Sequence, residues 1–315
     1  MSTDTKIEWA DKTWSPILGC DRVGPGCDHC YAIRTVHRLS SNPHPKIGPL
    51  YKGLTHRTED GLDWTGKIRT IPERLGDPLK WRKPLRVFVN SQSDLFHADV
   101  PDEFIARVFA VMARCPQHTF QILTKRHARM RSLLSSHAWW TQFSIEFLDR
   151  EPGTPVSYVS DPRGPYLSNV HLGVSVEDQR WADIRIPALL QTPAAVRWVS
   201  AEPLLGPIDL MGDVEQPGPA IVRTGCSYPT DYGTGIEYDH DDQPGIDWVV
   251  VGGESGPGAR PMALEWAQGI VDQCKGADVP VLVKQLGSVT GGKSHQDITT
   301  FPPGLRVREY PTVTA

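Results

Sequence analysis

Seven short apolar runs punctuate the chain. The first closes the aromatic stretch 6–19; the others lie at 85–90, 119–124, 170–176, 196–200, 247–251 and 281–284. They are short and rich in valine, isoleucine and phenylalanine, and polar turns bound them, so they predict buried strands. Between them the spacing changes to a helical period. Residues 30–36 read as a helix. A helix starting at Asp99-Val100-Pro101, with Asp99 as cap, sets Phe104, Ile105, Val108, Phe109 and Met112 on one face. Further helices are predicted at 126–134, with Met130, Leu133 and Leu134 inward, around 181–190, and at 264–274, with Trp266, Ile270 and Val271 on one face. Strands alternating with helices predict an α/β fold with a parallel sheet.

Three stretches break the alternation: about 40–84, 136–168 and 206–245. They are read as loop insertions, the first with some helix at 72–75 and 79–81. Residues 1–287 are then expected to form a single β/α barrel domain, and 288–315 a polar, loosely packed C-terminal tail.

Polar residues gather just after the strands. They are Ser91, Ser93 and Asp94; Lys125 and Arg126; Ser175 and Glu177; Ser200 and Glu202; Gly252, Gly253 and Glu254; Lys284 and Gln285. In a partial or complete TIM-like (β/α) barrel such residues share one face, where active sites sit. Each also has a plainer role. Asp94 caps a turn, Lys125-Arg126 is a solvated helix start, Glu177 complements a helix N-terminus, and the two glycines permit close packing. Lys284 follows three apolar residues and needs a partner, for which Glu254 and Glu202 are the candidates.

Composition narrows the class. Apolar residues make up 39% and charged residues 22% of the 315, which suits a packed core and excludes global disorder. The net charge of −4 gives no broad electrostatic signal for nucleic acid. Residues 1–9 hold no apolar signal-peptide core, and no run approaches the ~20 residues of a membrane span, so the expected compartment is the cytoplasm. In that reducing setting the six cysteines point to metal ligation over disulfides. Cys115, Cys226 and Cys274 are expected to be packing residues. The ten tryptophans are read as core residues, with Trp139-Trp140 as an exposed candidate for base stacking.

Cys20, Cys27 and Cys30 carry the strongest chemical signal, with spacing C-x6-C-x2-C. Crowded thiolates repel, and a bound metal removes that cost. Three ligands leave one position open, as a catalytic metal centre requires. Two readings follow: an iron–sulfur cluster with one free iron, or structural zinc with His29 or a remote residue as fourth ligand.

A three-cysteine loop after the first strand of a β/α barrel resembles the radical S-adenosylmethionine (radical SAM) superfamily. Trp14-Ser15-Pro16, Gly26-Cys27-Asp28-His29-Cys30-Tyr31-Ala32, 88–96, Leu123-Thr124-Lys125-Arg126, Gly173-Val174-Ser175, 200–204, 252–256 and Val283-Lys284-Gln285 resemble, more closely, a phage-associated protein family of uncharacterised function. The superfamily resemblance implies a [4Fe–4S] cluster on Cys20, Cys27 and Cys30, with S-adenosyl-L-methionine on its free iron and a 5′-deoxyadenosyl radical as the reactive product. It implies an electron donor such as flavodoxin or ferredoxin, while the phage association of the closer family implies a nucleic acid or nucleotide as substrate class, and the lack of a spanning apolar run leaves no membrane expected. Ser93, Asp94, Lys125, Ser175, Gly252, Gly253 and Glu254 are the expected cofactor contacts. The superfamily spacing is C-x3-C-x2-C, shorter than here, and the position of its Gly-Gly-Glu motif after the second strand holds Ser91-Gln92-Ser93-Asp94.

Two other functions are carried beside it. One is a zinc-stabilised binding or accessory protein without radical chemistry. The other is an acid–base enzyme in which Glu202 and Lys284, with Glu254, act at strand ends.

Overall fold

The computed structural model describes residues 3–5, 7–149, 158–159, 164–211, 245–256, 258–287 and 297–312. The chain forms two compact units, one of Met1–Val174 with Thr192–Ala195, the other of Ser175–Gln191 with Val196–Ala315.

The first unit holds β1 (Thr3–Asp4), β2 (Lys12–Trp14), β3 (Ile17–Leu18), α1 (Tyr31–Ser40), α2 (Gly48–Tyr51), β4 (Thr55–Thr58), β5 (Gly61–Trp64), β6 (Arg69–Thr70), β7 (Arg86–Val89), α3 (Asp102–Ala113), β8 (Thr119–Thr124), α4 (His127–Leu134), α5 (His137–Leu148) and β9 (Val170–Ser175), whose last residue belongs to the second unit. β2, β7, β8 and β9 pair in parallel and in chain order, with β1 antiparallel on β2. The second unit holds α6 (Gln179–Leu190), β10 (Val196–Ala201), β11 (Trp248–Gly252), α7 (Leu264–Gly276) and β12 (Val281–Gln285), with β10, β11 and β12 parallel and again in chain order. Parallel neighbours in unbroken chain order, with helices between them, are the wall of a β/α barrel. The α/β class with parallel strands is therefore as expected.

The strand runs hold because both faces of their sheets are buried. Every residue of β9, β10 and β11 is buried, which is why they read as continuous apolar runs. The first run differs from expectation. Pro16 lies within it and offers no N–H, so the ladder breaks there. β2 pairs with β7, while β3 turns away and pairs antiparallel with β6.

The first insertion is more ordered than its composition suggests. It carries the hairpin β4–β5 and 3₁₀ turns at Pro72–Arg74 and Pro78–Lys80, in agreement with the helix expected there. Leu54, Trp64 and Ile71 pack with Leu18, Ile33 and Val36 into one cluster, so the insertion is fixed against the helix that follows the cysteine loop.

Three expectations are corrected. The third helix begins at Asp102, not Asp99; Pro101 is its extended N-cap, and Asp102 and Glu103 occupy the first turn, where the helix dipole favours negative charge. Trp139 and Trp140 are buried, each 4% exposed. Their indoles pack on each other, on Phe109 and on Phe143, and their N–H groups donate to the Asp102 and Leu134 carbonyls. A buried aromatic layer between α3 and α5 cannot be a base-stacking surface. Within the tail, residues 297–312 are anchored: Phe301 and Leu305 are buried, and Arg308 bridges to Leu282 of β12. Cys115 and Cys274 are buried packing residues as expected; Cys226 and most of the third insertion lie outside the described residues. No helix among the described residues is long and apolar enough to cross a membrane.

Candidate functional site

The cysteine loop leaves β3 at Gly19. This glycine has φ 92°, and a Cβ there would lie 2.1 Å from the Lys67 carbonyl oxygen. Only glycine allows that approach. Gly19 also bridges in parallel to Ser93, whose hydroxyl donates to the Ile17 carbonyl at 2.8 Å. The start of the loop is thus locked to the turn after β7.

The loop then folds as a 3₁₀ turn, Pro25–Cys27, and Cys30 becomes the N-cap of α1. Arg22 pins it to the hairpin, donating to Asp63 at 2.8 Å, to the Leu62 carbonyl and to Asp28. Asp21 pairs with Arg126, and its carboxylate lies 3.3 Å from His97 Nε2. Tyr31 reaches from α1 to the Ser91 carbonyl at 2.8 Å.

Cys20, Cys27 and Cys30 are free thiols, close enough to feel one another electrostatically. Burial pushes Cys20 well above the ordinary thiol range; the Asp94 carboxylate adds to the rise, Arg126 opposes it, and Cys27 and Cys30 raise it further. Burial likewise raises Cys30, opposed by the Ala32 and Ile33 amides at the start of α1 and by the Lys125 ammonium. Cys20 and Cys30 are therefore costly as bare anions, with Arg126 opposing the rise at the first and Lys125 at the second, and a bound metal cluster would remove that cost. No group of three His, Cys, Asp or Glu side chains among the described residues is arranged around a single ion.

Asp94 lies beside this loop, and the structure shows what holds it. Both its oxygens accept from the Thr124 hydroxyl, at 2.7 and 2.8 Å, and they also take the Phe96 and Lys125 amides at 3.0 Å. Burial raises its pKa, and these donors oppose the rise. Its carboxylate joins the ends of β7 and β8, so the loop, Ser93, Asp94 and Lys125 come together in the first unit.

Ser175, Glu202, Gly252, Gly253, Glu254 and Lys284 belong to the second unit. Lys284 Nζ donates to Glu202 Oε1 at 2.8 Å, and the Ser200 hydroxyl to Oε2 at 3.3 Å. Of the two candidate partners, Lys284 thus takes Glu202. A Cβ at Gly252 would lie 2.6 Å from Glu202 Oε1, and one at Gly253 would lie 2.6 Å from the Gly287 Cα. Both glycines answer to close packing within this unit. Glu254 is bound by Arg260 through its amide at 2.8 Å and its guanidinium at 2.6 and 3.0 Å. Ser175 is buried, and its carbonyl accepts from Arg185 at 2.7 Å.

Several residues went unread in the sequence. Arg185 forms a fully buried pair with Glu177 and stacks 4.0 Å from the Trp181 ring; the i, i+4 spacing of Trp181 and Arg185 was the available signal. Gln121 and His171 stand as polar residues within apolar strands. A cavity of about 600 Å³ also opens in the first unit, lined among others by Ser15, Leu39, Tyr51, Arg74, Ser91 and Gln92.

Residues 4–300 match the model of a family described as protein of unknown function (DUF5131). The chain belongs to that family. No curated protein and no solved structure matches it.

Proposed function

We propose that the protein is a cytoplasmic radical-SAM-like iron–sulfur enzyme acting on a nucleic acid or nucleotide. The observation that supports this most is the gathering of Cys20, Cys27 and Cys30 in one braced loop beside Lys125 and Arg126. When bound, a [4Fe–4S] cluster with S-adenosylmethionine supplies a 5′-deoxyadenosyl radical. The chain's own residues ligate, orient and shield. The three thiolates would hold the cluster, and Gly19 and Arg22 fix the loop. Lys125 would offer an ammonium to the cofactor carboxylate. Asp94 holds the ends of β7 and β8 in register beside the loop. An electron donor such as flavodoxin or ferredoxin completes the system.

Anaerobic reconstitution with iron and sulfide tests the reading. The expected result is a broad visible charge-transfer absorption, lost in Cys27→Ala, and release of 5′-deoxyadenosine from S-adenosylmethionine after reduction. A spectrum that stays featureless, or one that survives Cys27→Ala, overturns it.

A second reading is favoured by one observation, the 2.8 Å contact between Lys284 and Glu202. In it the pair handles a proton at the strand ends of the second unit, without Glu254, whose carboxylate Arg260 occupies. This reading requires activity to survive loss of the three cysteines.

A further inference from the structure

The parallel register of the first unit sets Thr13, Phe88, Gln121 and His171 in one row across β2, β7, β8 and β9. Side chains alternate along strands, so this row shares a face of the sheet. The opposite face carries Val87, Val89, Phe120, Ile122 and Leu172. Gln121 is 2% and His171 3% exposed. Buried polar groups in native proteins are almost always hydrogen-bonded. Here the Gln121 carbonyl oxygen and both ring nitrogens of His171 have no partner among the described residues. At the carboxyl end of the same sheet Asn90, 3% exposed, also leaves its amide nitrogen unpartnered. Three neighbouring strands thus end or carry polar groups that nothing among the described residues satisfies.

The chemistry of the row restricts what it takes. It offers a hydroxyl, an aromatic ring, an amide oxygen and an imidazole held neutral by burial. It contains no charged side chain, so it does not suit phosphate or carboxylate. Neighbouring donor and acceptor atoms beside an aromatic ring suit a flat, uncharged group that hydrogen-bonds along its edge. Phe88 is already packed edge-on against Trp9, at 4.6 Å between centroids, which sets a rigid aromatic border next to the amide.

We propose that Gln121 and His171, bordered by Phe88, form a recognition site for the hydrogen-bonding edge of a nucleobase. The site deepens the reading given above, on which it rests for the class of substrate, and it is independent of the metal.

The test uses the full chain, purified without iron, titrated with adenosine, guanosine, cytidine and uridine. One nucleoside is expected to bind and to shift the His171 ring nitrogen resonances. Gln121→Met and His171→Phe are each expected to weaken that binding about tenfold or more, the usual scale for losing a good base contact. Both variants should unfold at the wild-type temperature or above, because each removes an unsatisfied buried group. Inorganic phosphate should not compete. The proposal is overturned if no nucleoside moves the His171 resonances, if binding persists in both variants, or if both variants unfold at lower temperature, which would mean that protein or buried water already satisfies these groups. A featureless iron spectrum in the parallel reconstitution overturns the radical reading and leaves this site standing.

Discussion

The guanidinium of Arg185 meets the carboxylate of Glu177 at 2.9 Å with both side chains wholly buried. Arg185 also holds the Ser175 carbonyl and lies over Trp181, so it ties the end of β9 to α6. An ion pair this deep gains little over an apolar pair of the same volume, but removal of one partner strands a charge. Arg185→Met is expected to cost about 3–5 kcal/mol in urea unfolding. Arg185→Met combined with Glu177→Leu should recover most of that loss. A double variant as unstable as the single one would show that the backbone contact to Ser175, not the ion pair, dominates.

Gly19 and Gly53 both have positive φ, 92° and 79°, but only Gly19 faces an obstacle. The left-handed conformation alone costs an alanine about 1–2 kcal/mol. Gly53→Ala, with open space around it, should show that cost and nothing more. Gly19→Ala adds a methyl 2.1 Å from a backbone oxygen, so it should be the more destabilised of the two. It should also expose the cysteine loop, read as faster labelling of Cys20 and Cys30 by a thiol reagent. Equal midpoints for the two variants would refute the bracing role given to Gly19.

The strands and most helices were legible because their signals are local: β-branched runs for the one, i, i+3, i+4 spacing for the other. The break at Pro16 was legible in principle, since a missing N–H ends a ladder, yet the destination of β3 was not. Its partner, Arg69–Thr70, lies in a segment with no periodicity. Strand-end residues could be located but not paired. Asp94 finds Thr124 thirty residues on, and Glu254 finds Arg260 rather than Lys284. Such choices are made by tertiary register, which places an acceptor opposite a donor without leaving a mark in either local sequence. Gln121 and His171 stood out only as polar residues in apolar strands, and their shared row is a consequence of that same register.

Burial pushes the His171 imidazole down to about 4, from an ordinary value near 6.5. The folded state therefore resists the proton that the unfolded chain accepts. Stability is unaffected above pH 6.5, falls as pH drops below it, and stops falling from this source near pH 4. Integrated over that window the loss is about 3 kcal/mol. Urea midpoints measured from pH 7 to pH 4 should show it, and His171→Phe should flatten that part of the curve. An unchanged slope in the variant would assign the acid sensitivity to other groups.

Glu202 fills the space that a side chain at Gly252 would need, and its Oε1 is the atom Lys284 holds. A methyl at Gly252 must therefore push the carboxylate away from the ammonium. Gly252→Ala is expected to destabilise the protein, and part of that cost is the broken contact. Lys284→Met removes the same contact from the other side. The two costs should then overlap, with the double variant more stable than the sum of the singles predicts by about 1 kcal/mol, a usual coupling for residues that share a partner. Strict additivity in urea unfolding would mean that the methyl is absorbed by the backbone of β11 and leaves Glu202 on Lys284. The same variants separate the two functional readings. If Glu202 and Lys284 carry the chemistry, Gly252→Ala lowers turnover while the iron absorption of the reconstituted protein stays intact.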